Sequence, residues 1–314
     1  MRNIKIAIVG LGGVGGFYGG LLAHYYEGNQ EVKINFLVRG AHLDVIKKQG
    51  LKVCSKGVEV IGKPTIASDQ ASDIGKVDYI LLCTKGYDLT TVVKQIQPMI
   101  GVGTIVIPLL NGVLAYEELK EKLTEIEVWQ GCTYMVSRLK EAGVIDNPSG
   151  RQKIFVGIEG QLSERMKEFE SLLTNAGVNA KATDEISREV WEKYILVSSS
   201  AVATTYFNQS IGAIMQMHLE DVQQLIAEAS AIARVKQIKL PLEVESLVEE
   251  RLKAIPFEST TSMHSDFVAQ NKQTELEVMA GYMVQQGEKM NVPTPMYHQM
   301  YDKLKKYQEI TYPE

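Results

Sequence analysis

Three glycines near the N-terminus are spaced to hold a phosphate. Gly10, Gly12 and Gly15 fit the pattern G-x-G-x-x-G. The first allows a tight turn, the second lets backbone approach a pyrophosphate, and the third lets a helix pack closely on a strand. An apolar run over residues 5–9 precedes them and reads as a buried parallel strand. Small and apolar residues follow and read as a helix, whose N-terminus offers free N–H groups and a partial positive charge. Gly10, Leu11, Gly12, Gly13, Val14 and Gly15 are therefore read as a dinucleotide-binding loop. A turn that served packing alone would leave the five glycines between positions 10 and 16 without a clear reason.

Four more residues have the type and position for related chemistry. Residues 33–38 read as a second strand that ends at Arg39. In a dinucleotide fold this strand end meets the adenosine ribose; Asp or Glu there suits NAD, whereas an arginine suits the 2′-phosphate of NADP(H). The strand over residues 78–85 ends in Lys85, which can reach a phosphate or a substrate carboxylate. The strand starting at residue 104 runs into Asn111-Gly112. That pair marks a turn, and at a strand's carboxyl end its amide could also hold a nicotinamide or a substrate. Hydride reduction of a ketone creates an alkoxide, which needs a cation or an acid nearby. Lys193, two residues after Trp191 on a helix that opens the second half, is the candidate. Ser262, Asp266 and Glu275 form a further polar series, which pattern alone assigns to a loop and a helix cap.

The elements that must position these residues change character along the chain. Strands and helices alternate up to about residue 183, which predicts a doubly wound, mostly parallel sheet. Residues 143–145 and 153–157 read as an antiparallel hairpin closing that sheet. Strand signals vanish from Asp184 onward, and apolar residues recur at helical spacing over 184–200, 218–238, 241–254, 275–290 and 294–307. The expected fold is α/β: a Rossmann-type doubly wound domain over residues 1–183, then an all-helical domain over residues 184–314.

Bulk composition narrows the function. A chain of 314 residues with 45% hydrophobic and 23% charged residues has the make-up of a globular protein with ample core. A formal charge of −5 offers no basic footprint for nucleic acid. Three scattered cysteines argue for a reducing compartment and against a disulfide framework. Neither the cysteines nor the five histidines show metal-ligand spacing. No apolar run reaches the roughly 20 residues of a membrane span, and the chain opens directly on a strand. A cytoplasmic enzyme without metal, membrane or nucleic-acid partner is the expectation.

Taken together, these motifs resemble the ketopantoate reductases (2-dehydropantoate 2-reductases). The resemblance rests on the glycine loop, Arg39-Gly40-Ala41-His42-Leu43, Thr84-Lys85, Asn111-Gly112-Val113, Trp191-Glu192-Lys193, Ser262-Met263 with Asp266, Thr274-Glu275, and Val292-Pro293-Thr294-Pro295. It implies NADPH-dependent reduction of 2-dehydropantoate to pantoate, in pantothenate and coenzyme A biosynthesis. It also implies that Lys193 is the proton donor and that Glu275 lies near nicotinamide and substrate. Lys85 and Asn111 would line the cofactor and substrate site, and Ser262 would touch substrate. Family precedent further implies a homodimer, for which the helix over 218–238 could bury against a second subunit or within its own domain. The chain departs from better-known members at two points. They carry asparagines one and two helical turns after the lysine, where this chain has Val197 and Ala201, with Ser198, Ser199 and Ser200 alongside. The segment from Asp266 to Glu275 is also one residue longer. These departures leave open the reduction of another branched 2-keto acid. A catalytically silent NADP(H)-binding sensor would need the loop and Arg39 but neither Lys193 nor Glu275.

Overall fold

The buried apolar runs become parallel strands because each is covered on both faces. The structure, a computed structural model, describes residues 3–84, 86 and 89–311. Thirteen strands are found among them: β1 (Ile4–Val9), β2 (Val32–Leu37), β3 (Leu51–Ser55), β4 (Val58–Gly62), β5 (Ile66–Ser68), β6 (Tyr79–Leu82), β7 (Ile105–Pro108), β8 (Glu127–Val128), β9 (Gln130–Met135), β10 (Arg138–Glu141), β11 (Val144–Asn147), β12 (Gln152–Gly157) and β13 (Ala180–Ala182). The chain divides into two units. One comprises residues 1–110 and 115–186, the other residues 111–114 and 187–314.

The first unit is built on a six-stranded parallel sheet in the order β5-β2-β1-β6-β7-β8. Alternate residues of β1 and β2 serve opposite faces. Ile6, Ile8, Ile34 and Phe36 join one core, and Ala7, Val9 and Leu37 join the other. This is the α/β sheet of a doubly wound domain, and its strand order reverses between β1 and β6.

The expected hairpin of residues 143–145 with 153–157 does not form. β11 pairs antiparallel with β10 and parallel with β3, in a separate sheet ordered β10-β11-β3-β4. β12 lies between β9 and β13 in a third sheet. Alternating hydrophobicity marks each segment as a strand, but it does not name the strand's partner.

The second unit is helical among the described residues. Its longest helix, Ile186–Phe207, carries Trp191, which is buried and meets Tyr194 and Tyr282 edge-on or tilted. The helix Leu219–Val235 contributes Glu228, a carboxylate only 3% exposed. Its two oxygens accept from the backbone N–H groups of Met296 and Tyr297, at 2.9 and 3.0 Å, at the start of the helix Pro295–Thr311. An anion there satisfies donors that have no partner within their own helix and complements the helix dipole. Replacing Glu228 by Ala is expected to lower unfolding stability by about 2 kcal/mol, from the buried donors left unpaired. Urea unfolding followed by circular dichroism would measure this, and an unchanged midpoint would refute the cap's role.

Candidate functional site

The glycine loop of the first unit leaves the carboxyl end of β1, at the point where strand order reverses. Gly10 has φ of +86°, which favours glycine, and a Cβ there would lie 3.0 Å from the carbonyl oxygen of Cys83. A Cβ on Gly15 would fall 2.1 Å from the carbonyl oxygen of Gly10. Helix and strand can approach this closely only because that side chain is missing. Gly12 differs. It is the N-cap of the helix Gly13–Tyr25, no side chain caps it, and a Cβ would meet nothing within 4 Å. The Gly12 position therefore borders open space at the start of this helix.

That space belongs to a cavity of about 370 Å³, whose lining includes Gly10, Gly12, Arg39, His42, Asp69 and Thr84. Arg39 is exposed at the end of β2. The hydroxyl of Thr84 is buried without a hydrogen-bond partner among the described residues. A bound pyrophosphate would accept from that hydroxyl and from the helix N-terminus, so the residues present fit a dinucleotide. Lys85 lies outside the described residues.

Four other candidate residues converge in the second unit. Asn111 leaves the end of the parallel sheet but belongs to the short excursion 111–114 that groups with the helices. Lys193 donates from Nζ to Asn111 Oδ1 at 3.1 Å. Asn111 Nδ2 donates to Glu275 Oε2 at 3.5 Å, and the Ser262 hydroxyl donates to the same oxygen at 3.5 Å. The ammonium can only donate and the ionised carboxylate can only accept, which fixes the orientation of the amide between them. Glu275 is 4% exposed and lies just before a helix, while Ser262 opens the helix Ser262–Val268 where pattern alone predicted a loop. The two bonds to Glu275 are at the long limit of hydrogen bonding. Asp266 has a contact of its own in the helix that Ser262 opens. Its carboxylate accepts from Asn271 Nδ2 at 2.7 Å and fastens the following turn.

Residues 6–159 match the model of the family described as ketopantoate reductase PanE/ApbA, and residues 185–308 match that of its C-terminal part. The chain belongs to the ketopantoate reductase family. The family is one of oxidoreductases. A solved 2-dehydropantoate 2-reductase from Porphyromonas gingivalis W83 is 32% identical, with a TM-score of 0.86 over 96% of this chain and 99% of that one. An uncharacterized oxidoreductase, YkpB, from Bacillus subtilis is 26% identical over 97% of this chain and 99% of its own. The fold also extends to a D-mandelate dehydrogenase, solved in a ternary structure with NADH and anilino(oxo)acetate. That protein is 24% identical, with a TM-score of 0.81, over 98% of this chain and 99% of that one.

Departures from the ketopantoate reductase pattern have a structural outcome here. Val197 stands one turn after Lys193 on the same helix face and Ala201 two turns after. The neighbouring serines do not replace the missing amides. Ser199 and Ser200 donate to the carbonyls of Ile195 and Leu196, both at 2.7 Å, and Ser198 donates to that of Met279 at 2.7 Å. Met279 sits in a π-turn, Glu277–Gly281, just beyond Glu275. The wide turn disturbs the helical hydrogen-bond ladder, and Tyr194 donates to the neighbouring Val278 carbonyl at 2.5 Å. Sequence reasoning missed this support, since a π-turn has no residue signature. It also gave no role to His42, although the histidine stands inside a quoted motif.

Proposed function

We propose that this protein is an NADPH-dependent 2-dehydropantoate 2-reductase, forming pantoate in pantothenate and coenzyme A biosynthesis. The observation that carries the reading is the chain of contacts from Lys193 through Asn111 to Glu275 and Ser262. A ketone needs an acid at its oxygen, and this cluster offers an ammonium oriented by a neutral amide, with a carboxylate behind it. Family membership supplies the reaction class.

A reduced nicotinamide, when bound, supplies a hydride to the carbonyl carbon. Its phosphates would be held by the backbone of Gly10, Leu11, Gly12, Gly13, Val14 and Gly15 and by Thr84, and its 2′-phosphate by Arg39. Lys85 would assist at a phosphate or at the substrate carboxylate. As the carbonyl's π electrons move onto oxygen, Lys193 stabilises the developing alkoxide and gives it a proton, leaving a neutral amine to be reprotonated from solvent. Asn111 fixes the direction in which that ammonium points. Glu275 orients the lysine and the substrate, and Ser262 offers a hydroxyl to the substrate. The three cysteines are free thiols, in keeping with a cytoplasmic enzyme. No helix among the described residues is long and apolar enough to cross a membrane.

The cofactor assignment has its own test. Arg39→Ala is expected to weaken NADPH by about tenfold or more, because a charge-assisted contact to phosphate is lost, and to leave NADH nearly unchanged. Titration of both nucleotides would measure this, and equal loss for both would overturn the 2′-phosphate role.

A second reading, reduction of a different branched 2-keto acid, is favoured by Val197 and by the serine hydroxyls bonded to backbone carbonyls. Those contacts leave an apolar step beyond the lysine where a hydroxylated substrate would want a partner. Comparing kcat/KM for ketopantoate with that for 2-keto acids bearing plain hydrocarbon chains would separate the two.

A further inference from the structure

His42 reaches backbone on both sides of it in the chain, 31 residues earlier at Leu11 and 101 residues later at Gly143. Its Nδ1 lies 2.8 Å from the backbone nitrogen of Gly143, and its Nε2 lies 3.0 Å from the carbonyl oxygen of Leu11. The Gly143 N–H can only donate, so Nδ1 must be the bare nitrogen. Nε2 then carries the hydrogen and donates it to Leu11. The ring is thereby fixed as one neutral tautomer, and half-burial pushes its pKa below the ordinary imidazole value.

The carbonyl it holds lies inside the glycine loop. The peptide linking Leu11 to Gly12 is planar and trans, so its oxygen and the Gly12 N–H point to opposite sides. Fixing the oxygen therefore fixes the direction of that N–H. Gly12 is the loop position that faces open space, in the cavity also lined by His42 and Arg39. The loop is braced at a second point too. The Ser137 hydroxyl donates to the Gly13 carbonyl at 3.0 Å, and a Cβ on Gly13 would meet the Ser137 carbonyl oxygen at 2.1 Å. Ser137 and Gly143 flank β10 and the start of β11, so one strand pair backs the phosphate loop through both contacts.

We propose that His42 is a positioning residue for nucleotide binding: by tethering Leu11 to Gly143 it presets the Gly12 amide toward the pyrophosphate. The inference rests on the nicotinamide-nucleotide reading given above, and it concerns the loop before nucleotide arrives. A preset loop has less conformational freedom to lose on binding, so the tether acts on affinity more than on turnover.

Three variants test it: His42→Ala, His42→Asn and His42→Gln. Asn keeps an acceptor near the Nδ1 position and loses the donor to Leu11; Gln can place a donor near the Nε2 position. NADPH binding is read directly by fluorescence titration of the full chain, with a thermal melt of each variant alongside. Ala and Asn, which both lose the part-buried hydrogen bond to Leu11, are expected to raise the NADPH Kd about tenfold, and Gln to recover most of it. Where turnover is measured, KM for NADPH should rise while kcat at saturation changes less than about twofold. Wild-type affinity in the Asn variant, or one uniform loss in all three that tracks the melting temperature, would overturn the proposal. Failure of the wild type to bind any nicotinamide nucleotide would instead remove the reading beneath it.

Discussion

Replacing Lys193 by Ala is expected to lower kcat for ketopantoate by about 10²–10⁴-fold, the usual contribution of a positioned general acid. The NADPH Kd should change little, because the glycine loop and Arg39 belong to the other unit of the chain. The loss should fall on kcat and kcat/KM alike, since the alkoxide charge exists only beyond the ground state. Lys193→Arg should not restore full rate. A guanidinium keeps the charge but does not give up a proton near neutral pH, and its planar fork does not fit a site shaped for one ammonium on Asn111. Steady-state kinetics with direct cofactor titration would separate the two effects, and an unchanged turnover would remove Lys193 from its role.

Glu275→Gln should give the second-largest effect, a loss in kcat of roughly 10²-fold, comparable to removing one preorganised electrostatic contact. Glu275 Oε2 accepts from both Asn111 Nδ2 and the Ser262 hydroxyl. An amide side chain has one acceptor atom instead of two. It either turns its NH₂ toward the Asn111 NH₂, donor against donor, or turns it away and spends its only acceptor there. In both cases the carboxylate charge behind the ammonium is gone. In the first case the Asn111 amide also loses its fixed orientation, and Lys193 with it; in the second only the charge is lost. The thermal midpoint should move little, because the substitution preserves volume. A large fall in midpoint with kcat intact in the folded fraction would make Glu275 a structural residue only.

How much of this was legible in the sequence depends on the range of each interaction. The glycine loop, the parallel strands and the change to helices after residue 183 are local patterns: apolar runs, glycine spacing and helical periodicity. They predict the doubly wound sheet and the helical second half that the structure contains. The partners of β11 and β12 are not local. Each reads as a strand, but β11 pairs with β3, about 90 residues earlier. Asn111 shows the same limit at the site. Its sequence context is a strand followed by a turn, and only the fold groups it with Lys193 and Glu275. Pattern alone likewise gave Ser262 and Glu275 to a loop and a cap; their pairing emerges only when two helical segments meet. His42 carried a weak hint, a polar ring in a short motif after β2, but its two backbone contacts span the unit.

The central proposed step is hydride reduction of a 2-keto acid with Lys193 as the acid. The most direct measurement is NADPH consumption by the purified protein with ketopantoate, set beside 2-keto acids that carry hydrocarbon side chains. The expected result is one NADPH consumed per 2-hydroxy acid formed, slowed about 10²-fold or more by Lys193→Ala. Binding of NADPH without its oxidation by any 2-keto acid of the series would contradict it.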